Sequence, residues 1–254
     1  MLASLSVASA QMDINFADGS KYPGPEIAGS DGWVINNPLP GLSFLASVSG
    51  AGNWGALGGV YDVPVTTSEV ILTHPVGAPA KTSDLYTKFF IRESTPTYPG
   101  RDAFGFRFGG GANGLFEIKF VPNDTDPLQP GLMDIFVGAN GSAPAPTGSA
   151  IFDDATYVLA VDFNESGSGD LEMFATIGGG LNTYVFDGLL TGGGNATWDD
   201  FSIVWYSNGL TSGDNYIATQ FLGVIPVPEP GSAMASLLTG MMGLSVIMRR
   251  RRRA

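Results

Sequence analysis

The 254-residue chain has no cysteine, one histidine, and lysine and arginine at only half the number of its acids, 12 against 24. Without cysteine, neither disulfide staples nor thiolate metal sites are available, so any fold must rest on its core. The one histidine, His74, precedes Pro75 at the end of a predicted strand, and no Gly-x-Ser-x-Gly elbow is present. A Ser-His-Asp machine of that type is therefore unsupported. Five of the basic residues are consecutive near the end of the chain: Arg249, Arg250, Arg251, Arg252 and Arg253. That leaves residues 11–225 with 23 acids against seven bases, a net charge of −16. Such a body is repelled by phosphate backbones, which excludes nucleic acid as a partner, and it suits solubility outside the cell or capture of divalent cations. The glycine runs 109–111, 178–180 and 192–194 are not followed by Lys-Ser/Thr, so they are loops and not phosphate cradles. Apolar residues at helical spacing are also missing from the body.

What the chain does have is 44% hydrophobic and 11% aromatic residues, enough to build a core, and 36 glycines that go with many tight turns. Short aromatic and β-branched runs recur between Gly, Asn, Asp and Pro clusters. Leu42–Val48 and Ser68–Thr73 are early candidates for strands. In 84–93, Leu85, Thr87, Phe89 and Ile91 alternate with Tyr86, Lys88, Phe90 and Arg92, as expected of a strand with one face inward. Phe104, Phe106 and Phe108 share a face, as do Phe116, Ile118 and Phe120 beyond the Asn113-Gly114 turn, which predicts a hairpin. Leu132–Val137 is a further strand, and Ala139–Ser149, with Pro144 and Pro146, reads as an exposed loop. A second hairpin joins 156–163 to 171–177. Thr183–Phe186, Phe201–Tyr206 and Tyr216–Val224 bring the expectation to about a dozen strands. With no intervening helices, the fold class is all-β, an antiparallel sandwich over 11–225.

The two ends differ from this body. Residues 1–10 are small and apolar and end Ala8-Ser9-Ala10, the pattern of a cleavage site, but no Lys or Arg precedes Lys21. They read as the remnant of a signal peptide that starts further upstream, or else as a disordered N-terminus. Residues 226–254 contain Val227-Pro228-Glu229-Pro230, an uncharged apolar stretch at 231–248, and the five arginines. A helix over that stretch is about 27 Å long at ~1.5 Å per residue, a short membrane span. Arg249, Arg250, Arg251, Arg252 and Arg253 at its far end form a membrane stop, which places that end in the cytoplasm and the body outside. The order of motif, apolar helix and basic stop resembles the PEP-CTERM sorting signal of bacterial surface proteins. The resemblance implies recognition by the membrane enzyme exosortase, cleavage near Pro228–Pro230, and delivery of the body to the cell surface or extracellular matrix. A permanent single-span anchor is the other reading of the same residues.

From 84 to 224 the pattern is similar to concanavalin A-like and laminin-G-like jelly rolls, on the stretches 86–92, 104–109 and 157–163. Some folds of that class hydrolyse glycans with a Glu-x-Asp-x-x-Glu strand. The nearest stretch here, 132–137, has Asp134 and neither glutamate, while Asp153-Asp154 and Asp199-Asp200 are adjacent and would point to opposite faces of a strand. The expectation is a surface or matrix protein without enzymatic activity, whose sandwich engages extracellular polysaccharide or neighbouring proteins, with an extracellular glycan-active hydrolase of unrecognised site as the alternative. Asp162, Asn164 and Ser166 are similar to the start of a calcium loop, though Met173 stands where the closing glutamate belongs. Asp124 and Asp126 form another oxygen-rich loop, so Ca2+ is the candidate cofactor. Polysaccharide binding calls for exposed aromatic platforms. Trp33 and Trp54, set among Gly and Asn, are the candidates, whereas Trp205 in an apolar strand belongs to the core.

Overall fold

In the computed structural model the residues described are 12–16, 18, 20–22, 27–36, 46–47, 54–59, 68–80, 82–93, 101–109, 115–123, 131–179, 182–194, 198–207 and 215–226. They form fifteen strands in two sheets. One sheet runs in the order β13 (Asn182–Gly194), β12 (Asp170–Gly179), β11 (Tyr157–Glu165), β6 (Ser83–Glu93), β15 (Asn215–Pro226), β4 (Trp54–Gly59) and β3 (Ala46–Ser47). Strand β1 (Met12–Asn15) pairs with the far half of β15. The other sheet runs β10 (Ala145–Phe152), β9 (Leu132–Ala139), β8 (Phe116–Pro122), β7 (Ala103–Phe108), β14 (Trp198–Ser207), β5 (Ser68–Ala80) and β2 (Val34–Asn36). Every pairing between described strands is antiparallel.

The alternation written in the sequence decides which face of each strand is inward. Along β6, Leu85, Thr87, Phe89 and Ile91 are buried, and the residues between them face out to varying degrees. The two hairpins read from the sequence form: Phe108 pairs with Phe116 and Phe104 with Phe120 in one, Phe163 with Met173 in the other. Burying an aliphatic or phenylalanine side chain contributes roughly 1.5–3 kcal/mol, so this inward row dominates the favourable side of folding.

Aromatic rings lock the sheets together. Phe89 of β6 stands 5.2 Å from both Phe106 and Phe120 of the facing sheet, and Phe163 of β11 stacks on Trp198 of β14 at 4.3 Å. Each buried indole N–H finds an acceptor, as a ring with one polar atom must. Trp198 donates to Ser83 Oγ (3.0 Å), Trp205 to Asp102 Oδ2 (3.0 Å) and Trp33 to Tyr22 Oη (3.2 Å).

The structure differs from the sequence expectation at Ala139–Ser149. Its second half belongs to β10, with a register shift between Pro146 and Ala150. The prolines there signal a breaker, but β10 lies at the end of its sheet, and an edge strand is where a sheet accepts proline. Several expectations fall outside the described residues. They are the leader 1–10, the loop bearing Asp124 and Asp126, the motif Val227, Pro228, Glu229 and Pro230, and the span at 231–248. The membrane stop, Arg249, Arg250, Arg251, Arg252 and Arg253, lies outside them as well. Among the described residues, no helix is long and apolar enough to cross a membrane.

Candidate functional site

On the eight-stranded sheet the outward face carries rings. Phe90 of β6 meets Trp54 of β4 edge-on at 4.8 Å and Tyr216 of β15 at 5.7 Å, with interplanar angles of 82° and 74°. The register explains why rings from three strands converge: Phe90 is opposite Ala218, and Ala218 is opposite Ala56. Those two alanines face outward yet are only 1% and 4% exposed, because large rings lie over small residues. Next to them Gly58 is opposite Tyr216, and a Cβ on Gly58 would collide with Asn215 O and the Tyr216 Cα. Trp54, Phe90 and Tyr216 remain partly exposed themselves.

Two cations flank the trio on β6. Lys88 Nζ stands 5.6 Å from the centroid of the Trp54 ring, and Arg92 is directly opposite Tyr216. A bulge adds to this patch. Phe89 pairs with Thr219 and Thr87 with Leu222, so Gln220 and Phe221 share the single place opposite Lys88. The extra residue leaves Phe221 39% exposed, while its carbonyl accepts the Thr87 hydroxyl at 2.7 Å. Tyr86 and Val158 are also exposed on this face. Its other end is acidic, with Asp84 directly opposite Asp162. Partial burial, and then the charge of Asp162, hold the Asp84 carboxyl above its ordinary range.

The outward face of the seven-stranded sheet is built differently. Val204, Ile71, Arg107 and Glu117 all point away from the core and are all buried. Arg107 pairs with Glu69 and, at 3.4 Å, with Glu117, and donates to Tyr206 Oη at 2.8 Å. The Tyr206 hydroxyl in turn donates to Glu117, and Lys119 Nζ lies 3.7 Å from the centroid of the Tyr206 ring. Burial pushes the Glu117 carboxyl up against the opposing pull of Arg107, and pushes the Lys119 ammonium down against that of Glu117. Two acids face one guanidinium and one ammonium, so the group is formally neutral, and the Arg107 contacts are charge-assisted bonds. The hairpin's alternation sets Arg107, Glu117 and Lys119 on its outward face but does not show what they meet there. The partner Tyr206 lies some ninety positions further along the chain.

The structure corrects two site expectations. Trp33 is 1% exposed, stacked on Phe16 at 6.0 Å and edge-on to His74 at 5.1 Å, so it cannot be a platform. The polar turn before it, with Gly29, Asp31 and Gly32 at φ of 82°, 48° and 87°, is what turns the ring inward. His74 fixes the same turn: its Nε2 lies 2.6 Å from Asp31 O and its Nδ1 2.6 Å from Pro75 O.

The other correction concerns Asp162, Asn164 and Ser166, which do not converge on one point, whereas Asp124 and Asp126 lie outside the described residues. Asp162 lies within β11 opposite Asp84, whereas Ser166 is four residues on, about 13 Å away at ~3.3 Å per residue. In the turn, Ser166 Oγ bonds Ser168 Oγ (2.8 Å) and accepts from Asp170 N (3.1 Å), while Ser168 Oγ donates to Asp170 Oδ2 (2.7 Å). The polar atoms close on one another, and Asn164 is exposed on the strand before them. Among the described residues no group of three or more His, Asp or Glu is placed to hold a metal ion. Asp162, Asn164 and Ser166 therefore do not form a Ca2+ site by themselves. Trp54 is the one sequence-predicted platform that stands on an open face. Its neighbours Phe90 and Tyr216 were missed, although an aromatic on the charged side of β6 was a visible signal.

The architecture is similar to two solved structures. One is the exoplasmic/lumenal domain of VIP36 in its Ca2+/Man2-bound form, at 12% identity over 88% of this chain and 92% of that one, with a TM-score of 0.51. The other is the CBM2 module of the evolved Dit of Lactobacillus casei BL23 phage J-1, at 10% identity over 87% and 97%, with a TM-score of 0.52. The shared fold is a two-sheet antiparallel β-sandwich. At these identities the likeness is one of fold alone. No family model matches the chain, and no curated protein matches it.

Proposed function

We propose that the protein is an exported, non-enzymatic glycan-binding protein of the cell surface or extracellular matrix, which engages polysaccharide through the Trp54–Phe90–Tyr216 face. The observation that carries this reading is that face itself: three rings and two cations gathered on the outward face of a β-sandwich similar in fold to the Ca2+/Man2-bound VIP36 domain. Aromatic rings of this kind offer flat apolar area with little conformational entropy to lose on binding. Ca2+ stays a candidate cofactor at Asp124 and Asp126, which lie outside the described residues. Delivery would follow the tail, with Val227–Pro230 as the sorting motif, exosortase as the processing partner, 231–248 in the membrane and Arg249–Arg253 on the cytoplasmic side. The test of binding is a polysaccharide panel presented to the full chain. Binding to at least one polymer is expected, weakened about tenfold or more by Trp54→Ala, the effect of losing one good stacking contact. A panel with no binding would refute the reading. Mass spectrometry of surface-released protein tests the delivery: intact Arg249–Arg253 would refute processing.

The Arg107 network favours a second reading, an extracellular glycan-active enzyme, because it gathers two carboxyls, a phenol and an ammonium on one sheet face, with the Glu117 carboxyl pushed up and the Lys119 ammonium pushed down by burial. Release of sugar ends from any bound polymer, abolished by Tyr206→Phe, would establish that reading in place of the first.

A further inference from the structure

The aromatic trio is neutral, but its position on β6 is not. Lys88, Phe90 and Arg92 alternate on one side of the strand, so the cations bracket the central ring and lie about 13 Å apart along it at ~3.3 Å per residue. Seven lysines and arginines lie between residues 11 and 226, and two of them are here. Three others are tied up elsewhere: Lys21 on Asp31 at 3.2 Å, Arg101 on Asp153 at 3.5 Å, and Arg107 between Glu69 and Glu117. Arg92 approaches Asp154 only at 4.0 Å, and both side chains are more than half exposed. A pair of that kind contributes ~0–1 kcal/mol, so Arg92 can exchange its partner with little loss.

We infer that the ligand of this face is an acidic polysaccharide, whose sugar rings lie on Trp54 and Tyr216 while its carboxylates meet Lys88 and Arg92. The inference rests on the glycan-binding reading and names its ligand class. The acidity of the body argues against an anionic polymer at first sight. At about 0.15 M salt, however, the screening length is ~8 Å, and Asp84 lies four strand residues, ~13 Å, from Lys88. Charges near the rings therefore outweigh the distant surplus. The Asp84–Asp162 end repels the same ligand, which would confine the polymer to the Lys88–Arg92 end of β6.

The test uses the full chain with polygalacturonate, its fully methyl-esterified form and a set of neutral glucans and mannans, all at about 0.15 M salt. The acid is expected to bind about tenfold more tightly than the ester, a difference erased in K88Q/R92Q, while Trp54→Ala weakens both. Equal binding of acid and ester, or a preference that survives K88Q/R92Q, overturns the acidic ligand and leaves glycan binding standing. Binding of neutral polymers alone, lost in Trp54→Ala, does the same. No binding to any polymer overturns both. K88Q/R92Q changes two outward-facing residues, and its circular dichroism spectrum checks that it folds.

Discussion

Glu93 ends β6 with 5% of its surface exposed, and its carboxyl accepts the Asp102 N–H at 3.1 and 3.3 Å. Asp102 is itself fully buried, its Oδ2 held by Trp205 Nε1 at 3.0 Å and Asn215 Nδ2 at 3.3 Å. Burial first, and the Asp102 charge second, push Glu93 from 4.5 to about 9, against the pull of Arg101. A group whose folded value is raised contributes stability that is whole below its unfolded value and is lost as pH rises through the folded one. Between pH 4.5 and 9 the folded protein holds a proton that the unfolded chain has released, so stability falls across that window. Glu93→Gln keeps an acceptor for the Asp102 N–H without the proton linkage. Its melting temperature should exceed that of the parent by several degrees at pH 8, at ~2–4 °C per kcal/mol for a domain of this size, and the gap should close by pH 4.5. Calorimetry across that pH range checks it, and a constant gap would remove Glu93 as the cause. Nothing local in the sequence marked this residue. Its environment comes from Asp102, Trp205 and Asn215, the last two more than a hundred positions away. Trp33 shows the same limit in reverse, since its polar neighbours suggested exposure while a left-handed turn aimed the ring into the core.

At the scale of strands, Asp84 and Asp162 face each other across β6 and β11, and like charges directly opposite destabilise a sheet. Asp84→Asn and Asp162→Asn should each raise the urea midpoint, by ~0.2–1 kcal/mol in stability, and the double variant should gain less than the sum. Strict additivity in that cycle would mean that the two carboxyls do not interact. Strands β6, β7, β8, β11 and β12 were legible because their period-2 pattern sets apolar residues against charged or polar ones. β4 was not, because Trp54-Gly55-Ala56-Leu57-Gly58-Gly59 has small residues on both faces: Gly55 lies against the Phe16 ring, and Gly58 against Tyr216. β1 and β2 are four and three residues long, too short to show a period. The candidate site inherits these limits. Trp54 could be named from its setting, but the rings it meets arrive from β6 and β15 through a register that no local pattern encodes.

For the whole molecule, charge is the property the sequence states most directly and packing does least to hide. Seven cations cannot neutralise 23 carboxylates over residues 11–225, so the folded body repels itself. Salt acts on this in two opposing ways. It weakens exposed attractions such as Lys21–Asp31 and Arg92–Asp154, each worth ~0–1 kcal/mol, and it screens the many repulsions among the carboxylates. The buried Arg107 pairs are screened far less and change little. Repulsions outnumber exposed attractions, so their relief should win. Raising ionic strength from about 0.01 to 0.15 M shortens the screening length from ~30 to ~8 Å, and the melting temperature should rise by several degrees over that interval. Sodium, potassium and choline chlorides should act alike at equal ionic strength, because screening depends on charge and not on the ion. A fall in melting temperature with salt would mean that a few attractions outweigh the net charge of the body. A rise that differs among the three salts would point to specific ion binding in place of screening.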